Sequence, residues 1–153
     1  MKKVKIVGLI VLMLVLIGCK TNKTIDFNTH GNFTRIGDTV RDSSTSLEWQ
    51  DADIISGFWQ ESMDTCETLT FNGKNDWRLP SLKELSSLFY DKTGKNLGNL
   101  KPVFFTKEPD YWSSTDASYS DLYAYYIHDN LSIKGNELKT RSQYGIRCVR
   151  TAK

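Results

Sequence analysis

The side chains that could carry out chemistry form no recognisable catalytic constellation. Serines are plentiful, but none lies in a nucleophile-elbow pattern, and the two histidines, His30 and His128, lie in unrelated contexts. His128 ends a predicted strand beside Asp129 and has the chemistry of a general base, although a polar residue that closes a strand is the commoner role. We therefore predict no catalytic residue, no cofactor and a protein that is not an enzyme.

Two pairs of carboxylates have the composition of a glycosidase or calcium site. They are Asp51 with Asp53 and Glu108 with Asp110. Neither histidine joins them in a recognisable ligand cluster, so we interpret the four acids as solvated loop residues and predict no metal site.

The aromatic residues divide into a core set and an ambiguous set. Periodicity places the four tryptophans in the interior, which favours packing over sugar stacking. The tyrosines near residue 120 can serve either as packing or as a contact surface for a glycan or a protein. On a strand, Tyr123 and Tyr125 share one face and Tyr126 takes the other. The candidate ligand-contact residues are Tyr119, Tyr123, Tyr125 and Tyr126.

Residues 75–85 combine an aromatic side chain, an arginine, a proline and a helix start. Ser81 and Glu84 have the spacing of a capping box, and Pro80 favours an extended residue before the helix. Arg78 is predicted to be a buried, fully hydrogen-bonded charge, and an anion site is its functional alternative. A structural role is assigned to Trp77, Arg78, Pro80, Ser81, Glu84, Trp112 and Arg147.

The N-terminus has the pattern of a bacterial lipoprotein leader, predicted as residues 1–18. Three lysines precede an apolar run at 6–17, which is shorter than the ~20 residues of a membrane span. The sequence Leu16-Ile17-Gly18-Cys19 resembles a lipobox, in which Cys19 receives lipid. A plain signal peptide or an uncleaved anchor is the alternative. Residues 19–31 are then a lipidated cysteine and flexible tether, and 32–151 the domain.

The leader also accounts for the net positive charge of the chain. The chain has 20 basic and 18 acidic residues, and loss of the leader's three lysines leaves acids in slight excess. No basic stripe marks the rest of the chain, so no nucleic-acid partner is predicted.

Two cysteines, Cys66 and Cys148, remain once Cys19 is assigned to lipid. In an exported domain, a single disulfide is the most economical arrangement. Two free thiols or a metal pair are the alternatives.

Hydrophobic periodicity and turn signals predict an α+β domain. Strands are expected at residues 33–36, 39–41, 47–49, 111–115, 122–128, 131–133 and 144–150. One helix is expected at 57–71, between a Ser56 cap and an Asn72-Gly73 stop, and another from 82 to about 91–94. Residues 129–130 and 134–136 are predicted to turn, and 95–110 to form a long irregular loop. Two helices would then pack on a small, mostly antiparallel, twisted sheet.

Several motifs, in this order, resemble the Lcl C-terminal domain family, typified by the C-terminal domain of a Legionella collagen-like adhesin. The resemblance covers residues 32–150. The motifs are Gly37-Asp38-Thr39-Val40, Leu47-Glu48-Trp49-Gln50, Asp76-Trp77-Arg78-Leu79-Pro80, Tyr111-Trp112-Ser113-Ser114-Thr115 and Arg147-Cys148-Val149-Arg150.

The resemblance implies a C-type lectin-like fold related to formylglycine-generating enzymes, with a bridge from the first helix to the last strand, at Cys66 and Cys148. It also implies adhesion, since the named adhesin's domain is linked to binding of host glycans and surfaces. Ser46 departs from the family pattern, which often has glycine there. The catalytic cysteine pair of the related enzymes is missing, because both domain cysteines are assigned to the bridge.

Together these features predict a non-catalytic, lipid-anchored envelope domain that binds a glycan or an envelope protein. The long loop and the neighbouring tyrosines would form its contact surface. Lys20 favours delivery to the outer membrane, because aspartate at that position favours inner-membrane retention. The alternatives are a structural subunit of an envelope or secretion assembly and, last, an enzyme on a formylglycine-generating-enzyme-like scaffold.

Overall fold

The computed structural model describes residues 29–153, apart from 54, 91–92, 94, 96, 98–99, 106 and 129–132. The leader, Cys19 and most of the tether lie outside the described residues. The described part of the chain contains no helix that is long and apolar enough to span a membrane.

The chain forms two five-stranded sheets. The first sheet is antiparallel, and its strands in spatial order are β1 (Thr29–His30), β2 (Phe33–Ile36), β3 (Thr39–Asp42), β4 (Leu47–Gln50) and β10 (Val149–Thr151). The three strands predicted at its start are confirmed. β1 pairs with β2, so residues 29 and 30 belong to the first sheet, although the domain was predicted to begin at residue 32.

The second sheet is mostly antiparallel, with β9 parallel to β6. Its strands in spatial order are β5 (Ser56–Gly57), β9 (Tyr144–Gly145), β6 (Asp110–Ala117), β7 (Ser120–His128) and β8 (Ile133–Leu138). The helices are α1 (Trp59–Glu67) and α2 (Leu82–Ser86). The α+β class is confirmed, but the prediction of one sheet is wrong.

Two hydrophobic clusters lie on opposite faces of the second sheet. Adjacent side chains of β6 point to opposite faces, so Tyr111 and Trp112 enter different clusters. The cluster around Tyr111 also contains Trp49, Leu85 and Ile127, and the cluster around Trp112 contains both cysteines of the disulfide.

The C-terminal segment explains why two sheets form rather than one. Residues 144–150 were predicted as one strand, but they form β9 in the second sheet and β10 in the first. The link between them, residues 146–148, is buried. Apolar residues do alternate along residues 144–150, but alternation does not specify which neighbouring strand each part of the segment pairs with.

The first helix is shorter than predicted. Ser56 belongs to β5 rather than capping the helix, and α1 ends at Glu67. Asn72 and Gly73 both have positive φ, 50° and 69°, and turn the chain between the paired residues Phe71 and Lys74. Two positive-φ residues in sequence are typical of a type I′ hairpin turn, so this dipeptide is not a helix stop.

The turn predicted at residues 134–136 is also wrong, because these residues lie inside β8. A Cβ atom on Gly135 would lie 2.5 Å from the ring of Tyr126 on the neighbouring strand. Gly135 is therefore needed for close approach of an aromatic ring rather than for a turn. The predicted turn at 129–130 lies outside the described residues.

Candidate functional site

The motif at residues 76–80 is bound to the last strand. Arg78 exchanges two backbone hydrogen bonds with Val149, each 2.9 Å long. The buried Trp77 lies below the guanidinium of Arg150, which also pairs with Asp76 at 2.6 Å. These contacts make the motif part of the architecture rather than of a ligand site.

The predicted capping box is present at the start of α2. Ser81 Oγ accepts from the Glu84 N–H, and Glu84 accepts from the Ser81 N–H at 2.9 Å. Arg78 donates to both oxygens of Glu84, at 2.6 and 2.8 Å. This pair lowers the pKa of Glu84 to about 2. The Arg78 side chain is nearly half exposed, so the prediction of a buried arginine is wrong at this position.

Arg147 is a fully buried arginine, and its anion is Asp51. Arg147 donates to Asp51 at 2.8 Å, and both side chains are fully buried. Arg35 also donates to Asp51, and the Phe105 N–H donates to it at 2.8 Å. The interpretation of Asp51 as a solvated loop acid is therefore wrong. It is the anionic centre of a network that holds β2, β4 and the C-terminal segment together.

The disulfide between Cys66 and Cys148 is confirmed. It joins α1 to the link between β9 and β10, with a Cα–Cα distance of 5.4 Å across 82 positions of sequence. Trp112 lies in the same buried cluster, and its indole N–H donates to the Gly57 carbonyl at 3.0 Å.

Three of the four candidate tyrosines lie at the β6–β7 hairpin on one face of the sheet. Tyr119 is 64% exposed, and its ring lies 5.5 Å from that of Tyr123. Its hydroxyl donates to Asn136 Oδ1 at 2.6 Å, and Asn136 faces Tyr125 across the β7–β8 pair. We call Tyr119, Tyr123, Tyr125 and Asn136 the tyrosine platform.

Tyr126 is not part of this platform. It lies on the opposite face, where its ring is 4.6 Å from Tyr144 and 6.3 Å from Trp112. Alternation along the strand already separated it from Tyr123 and Tyr125. Its role is packing.

The last residue of the long loop lies at the opposite end of β6 from the platform. The loop ends where β6 begins at Asp110, and Tyr119 follows the other end of the same strand, roughly 23 Å away at about 3.3 Å per residue. Val103 and Phe104 are buried in the cluster around Tyr111, as expected for a loop that covers the core, while Phe105 is exposed beside Arg35. Because residues 96, 98–99 and 106 of the loop lie outside the described residues, the expectation of one surface made by loop and tyrosines stays a prediction.

A groove of about 630 Å³ lies on the other side of the hairpin. We call it the α1 groove, since the first turn of α1 forms one wall and the start of β7 and the end of β8 form the other. Its lining residues are Phe58, Trp59, Gln60, Glu61, Asp121, Leu122, Leu138, Lys139 and Thr140. Sequence reasoning missed it, because the lining comes from three separate segments.

Backbone and indole hydrogen bonds fix the floor of the α1 groove. The Trp59 N–H donates to the Lys139 carbonyl at 3.2 Å, and the Lys139 N–H donates to the Leu122 carbonyl at 3.0 Å. The Trp59 indole N–H donates to the Ser113 carbonyl at 2.8 Å. The groove is thus formed by hydrogen-bonded elements rather than by surface side chains alone.

His128 and the remaining acids form no recognisable active centre. His128 Nδ1 lies 2.7 Å from Asp110 Oδ1 and 3.0 Å from the Pro109 carbonyl, so the ring is held at the start of β6. Across the described ranges of the chain, no group of three histidine, cysteine or acidic residues is placed to hold a metal ion.

These features define a disulfide-linked α+β domain with an exposed aromatic hairpin. Residues 38–150 match the model of the Lcl C-terminal domain. The chain therefore belongs to the Lcl C-terminal domain family, as its motifs indicated. The comparison with curated proteins gave no match.

Proposed function

We propose that this protein is a non-catalytic interaction domain of the bacterial envelope that binds a glycan through the tyrosine platform. The observation that carries the proposal is the Tyr119–Tyr123 ring pair, in which Tyr119 is exposed and Tyr123 half-buried, beside the exposed Asn136. Aromatic rings combined with an amide are suited to sugars, because the rings contact C–H faces and the amide bonds hydroxyls.

The platform is held ready for such a ligand. The Tyr119 hydroxyl donates to Asn136 Oδ1, which leaves the Asn136 amide N–H groups for a ligand. Partial desolvation is the main cause that raises the pKa of Tyr119 above its ordinary value, and the nearby Tyr123 and Tyr125 raise it further. The phenol is therefore neutral at pH 7 and keeps its proton for the hydrogen bond.

The family supports a surface role, since the typifying domain belongs to an adhesin. We extend the proposal to a C-type lectin-like fold and to lipid anchoring at Cys19 after loss of residues 1–18, with outer-membrane delivery favoured by Lys20. The disulfide supports export, because such bonds persist in oxidising compartments.

The non-catalytic part of the proposal rests on the cysteines. Both cysteines of the domain are joined to each other, so neither thiol is available as a nucleophile or as a copper or zinc ligand. The proposed activity is therefore contact with a ligand rather than thiol chemistry.

A glycan array probed with the full-length protein in detergent tests the proposal. Tyr119→Ala and Tyr123→Ala should each weaken binding to the best glycan roughly fivefold, since an aromatic contact contributes about 1 kcal/mol. Leu122→Ala, between the two tyrosines in sequence but on the other face, is the matched control and should bind normally. The proposal fails if no glycan binds, or if the tyrosine variants bind like the wild type.

Lipid anchoring is tested separately by labelling cells with radioactive palmitate. Label should enter the wild-type protein and not the Cys19→Ala variant. Equal labelling of both would refute anchoring at this residue without affecting the glycan proposal.

A further inference from the structure

The α1 groove has large apolar side chains that are open to solvent. Leu122 at its mouth is 64% exposed, and Phe58 is only partly covered. Contiguous exposed apolar side chains around a concave surface are typical of binding sites. A ligand that enters the groove would bury both side chains.

The groove is poorly suited to a sugar. Lys139 Nζ lies 3.9 Å from the centroid of the Trp59 ring, so an ammonium group already occupies a face of the aromatic surface. The side chains of Leu122 and Phe58 offer no hydrogen bonds to hydroxyl groups. The lining favours an apolar side chain over a hydroxyl-rich ligand.

The rim of the groove is negatively charged. Glu61 and Asp121 are both exposed, and neither carboxylate pairs with a cation among the described residues. Lys139 does not offset them, because it pairs with Asp116 at 2.6 Å. Arg141, close by in sequence, is directed to Glu137 at 3.9 Å. The groove therefore attracts a cationic group.

We propose that the α1 groove docks a segment of a partner protein in which a large apolar side chain lies beside lysine or arginine. The apolar side chain covers Leu122 and Phe58, and the cationic side chain pairs with Glu61 and Asp121. This surface is separate from the tyrosine platform, because Leu122 and Tyr123 point to opposite faces of β7.

Three synthetic hexapeptides probe the groove with the full-length protein in detergent micelles. The first is Gly-Lys-Leu-Phe-Lys-Gly, the second replaces both lysines with glutamate, and the third replaces Leu-Phe with Ser-Ser. Binding is read from the indole N–H resonance of Trp59 in an NMR spectrum, which reports this groove even when a peptide partitions into micelles. The resonance of Trp49, buried in the other cluster, is the internal reference.

Only the lysine peptide with Leu-Phe should shift the Trp59 resonance in a saturable way. The double variant Glu61→Gln/Asp121→Asn should bind it about fivefold more weakly, because exposed ion pairs each contribute a few tenths to 1 kcal/mol. Glutamine at 61 can still accept from the Phe58 N–H, which Glu61 bonds at 2.9 Å, so α1 keeps its start. Leu122→Ser should also weaken binding.

Asp53→Asn/Glu67→Gln is the matched control, since it removes two exposed acids that do not line the groove. It should bind the peptide like the wild type. Equal loss in both double variants would reduce the effect to net charge and overturn the proposal. So would absence of binding, or equal binding of the glutamate peptide.

A positively charged sugar is the other ligand that the experiment must distinguish from a protein segment. A glucosamine trimer should leave the Trp59 resonance unchanged. The protein-docking proposal is wrong, and the groove takes an amino glycan, if the trimer does shift that resonance. In that case the shift should disappear in Glu61→Gln/Asp121→Asn and persist in Leu122→Ser.

Discussion

Asp51 is the residue whose replacement should damage the domain most for the smallest change in shape. Its carboxylate lies between the guanidinium groups of Arg35 and Arg147, with side-chain exposures of 0%, 6% and 0% respectively. Arg147 also lies 4.7 Å from the Phe104 ring and donates to the Gln50 carbonyl at 2.9 Å. The change Asp51→Asn keeps the volume and removes the charge.

The loss in the free energy of unfolding comes from the arginine charges that remain buried without their anion. Removing one partner of a buried ion pair costs about 3–5 kcal/mol, because the other charge stays desolvated. Arg35 also stays buried, but it keeps its hydrogen bond to the Gly37 carbonyl at 2.7 Å, which offsets part of this cost. Arg147 cannot reach water, so we expect Asp51→Asn to lower the free energy of unfolding by about 3 kcal/mol. For a domain of this size that is roughly 12 °C in Tm.

Urea unfolding of the oxidised protein, followed by tryptophan fluorescence, measures this loss. Asp53→Asn is the matched control, because it makes the same change two residues away at an exposed position and should stay within about 0.5 kcal/mol of wild type. In the double variant Asp51→Asn/Arg147→Met, part of the loss should be recovered, since the stranded charge is gone. An Asp51→Asn protein within about 1 kcal/mol of wild type would refute the buried network.

Three further changes probe stability. Cys66→Ala/Cys148→Ala should lower the free energy of unfolding by about 4–5 kcal/mol in urea, because the bridge closes a loop of more than 80 residues; no loss would contradict the bridge. The pKa of Glu84 falls from 4.5 to about 2 because of Arg78, so its contribution is present above pH 4.5 and lost as pH falls towards 2. Because Arg78 is nearly half exposed, we expect this contribution to the free energy of unfolding to be about 1 kcal/mol. Unfolding measured at several pH values should show it in the wild type and not in Glu84→Gln. Ser46 has φ +56°, so Ser46→Gly should stabilise the domain by up to about 1 kcal/mol, seen as a raised Tm; a lowered Tm would contradict this.

Features set by neighbours in sequence were predictable. The capping box of Ser81 and Glu84 depends on residues three apart, and it is present as expected. The turns between β2, β3 and β4 follow from short polar segments, and Gly37 takes the positive φ that such a turn requires.

Features set by distant residues were not predictable. Asp51 resembles a loop acid because it stands beside Asp53, while its partners Arg35 and Arg147 are 16 and 96 positions away. Arg78 was the expected buried arginine, but the neighbouring Glu84 satisfies it at the surface. Nothing in local sequence distinguishes the arginine that enters the core from the one that stays at its edge.

The candidate site also has one part that the sequence predicted and one part that it did not, and both parts include residues of β7. Period-2 alternation correctly grouped Tyr123 with Tyr125 and set Tyr126 apart, so one side of the hairpin followed from the sequence. The same alternation places Leu122 on the other side, but its exposure depends on α1 and the end of β8, which alternation does not describe. One hairpin thus carries two chemically different surfaces, one of aromatic rings with an amide and one apolar with an acidic rim. Because Leu122 and Tyr123 are adjacent in sequence and opposed in space, their separate replacement assigns each ligand to one surface.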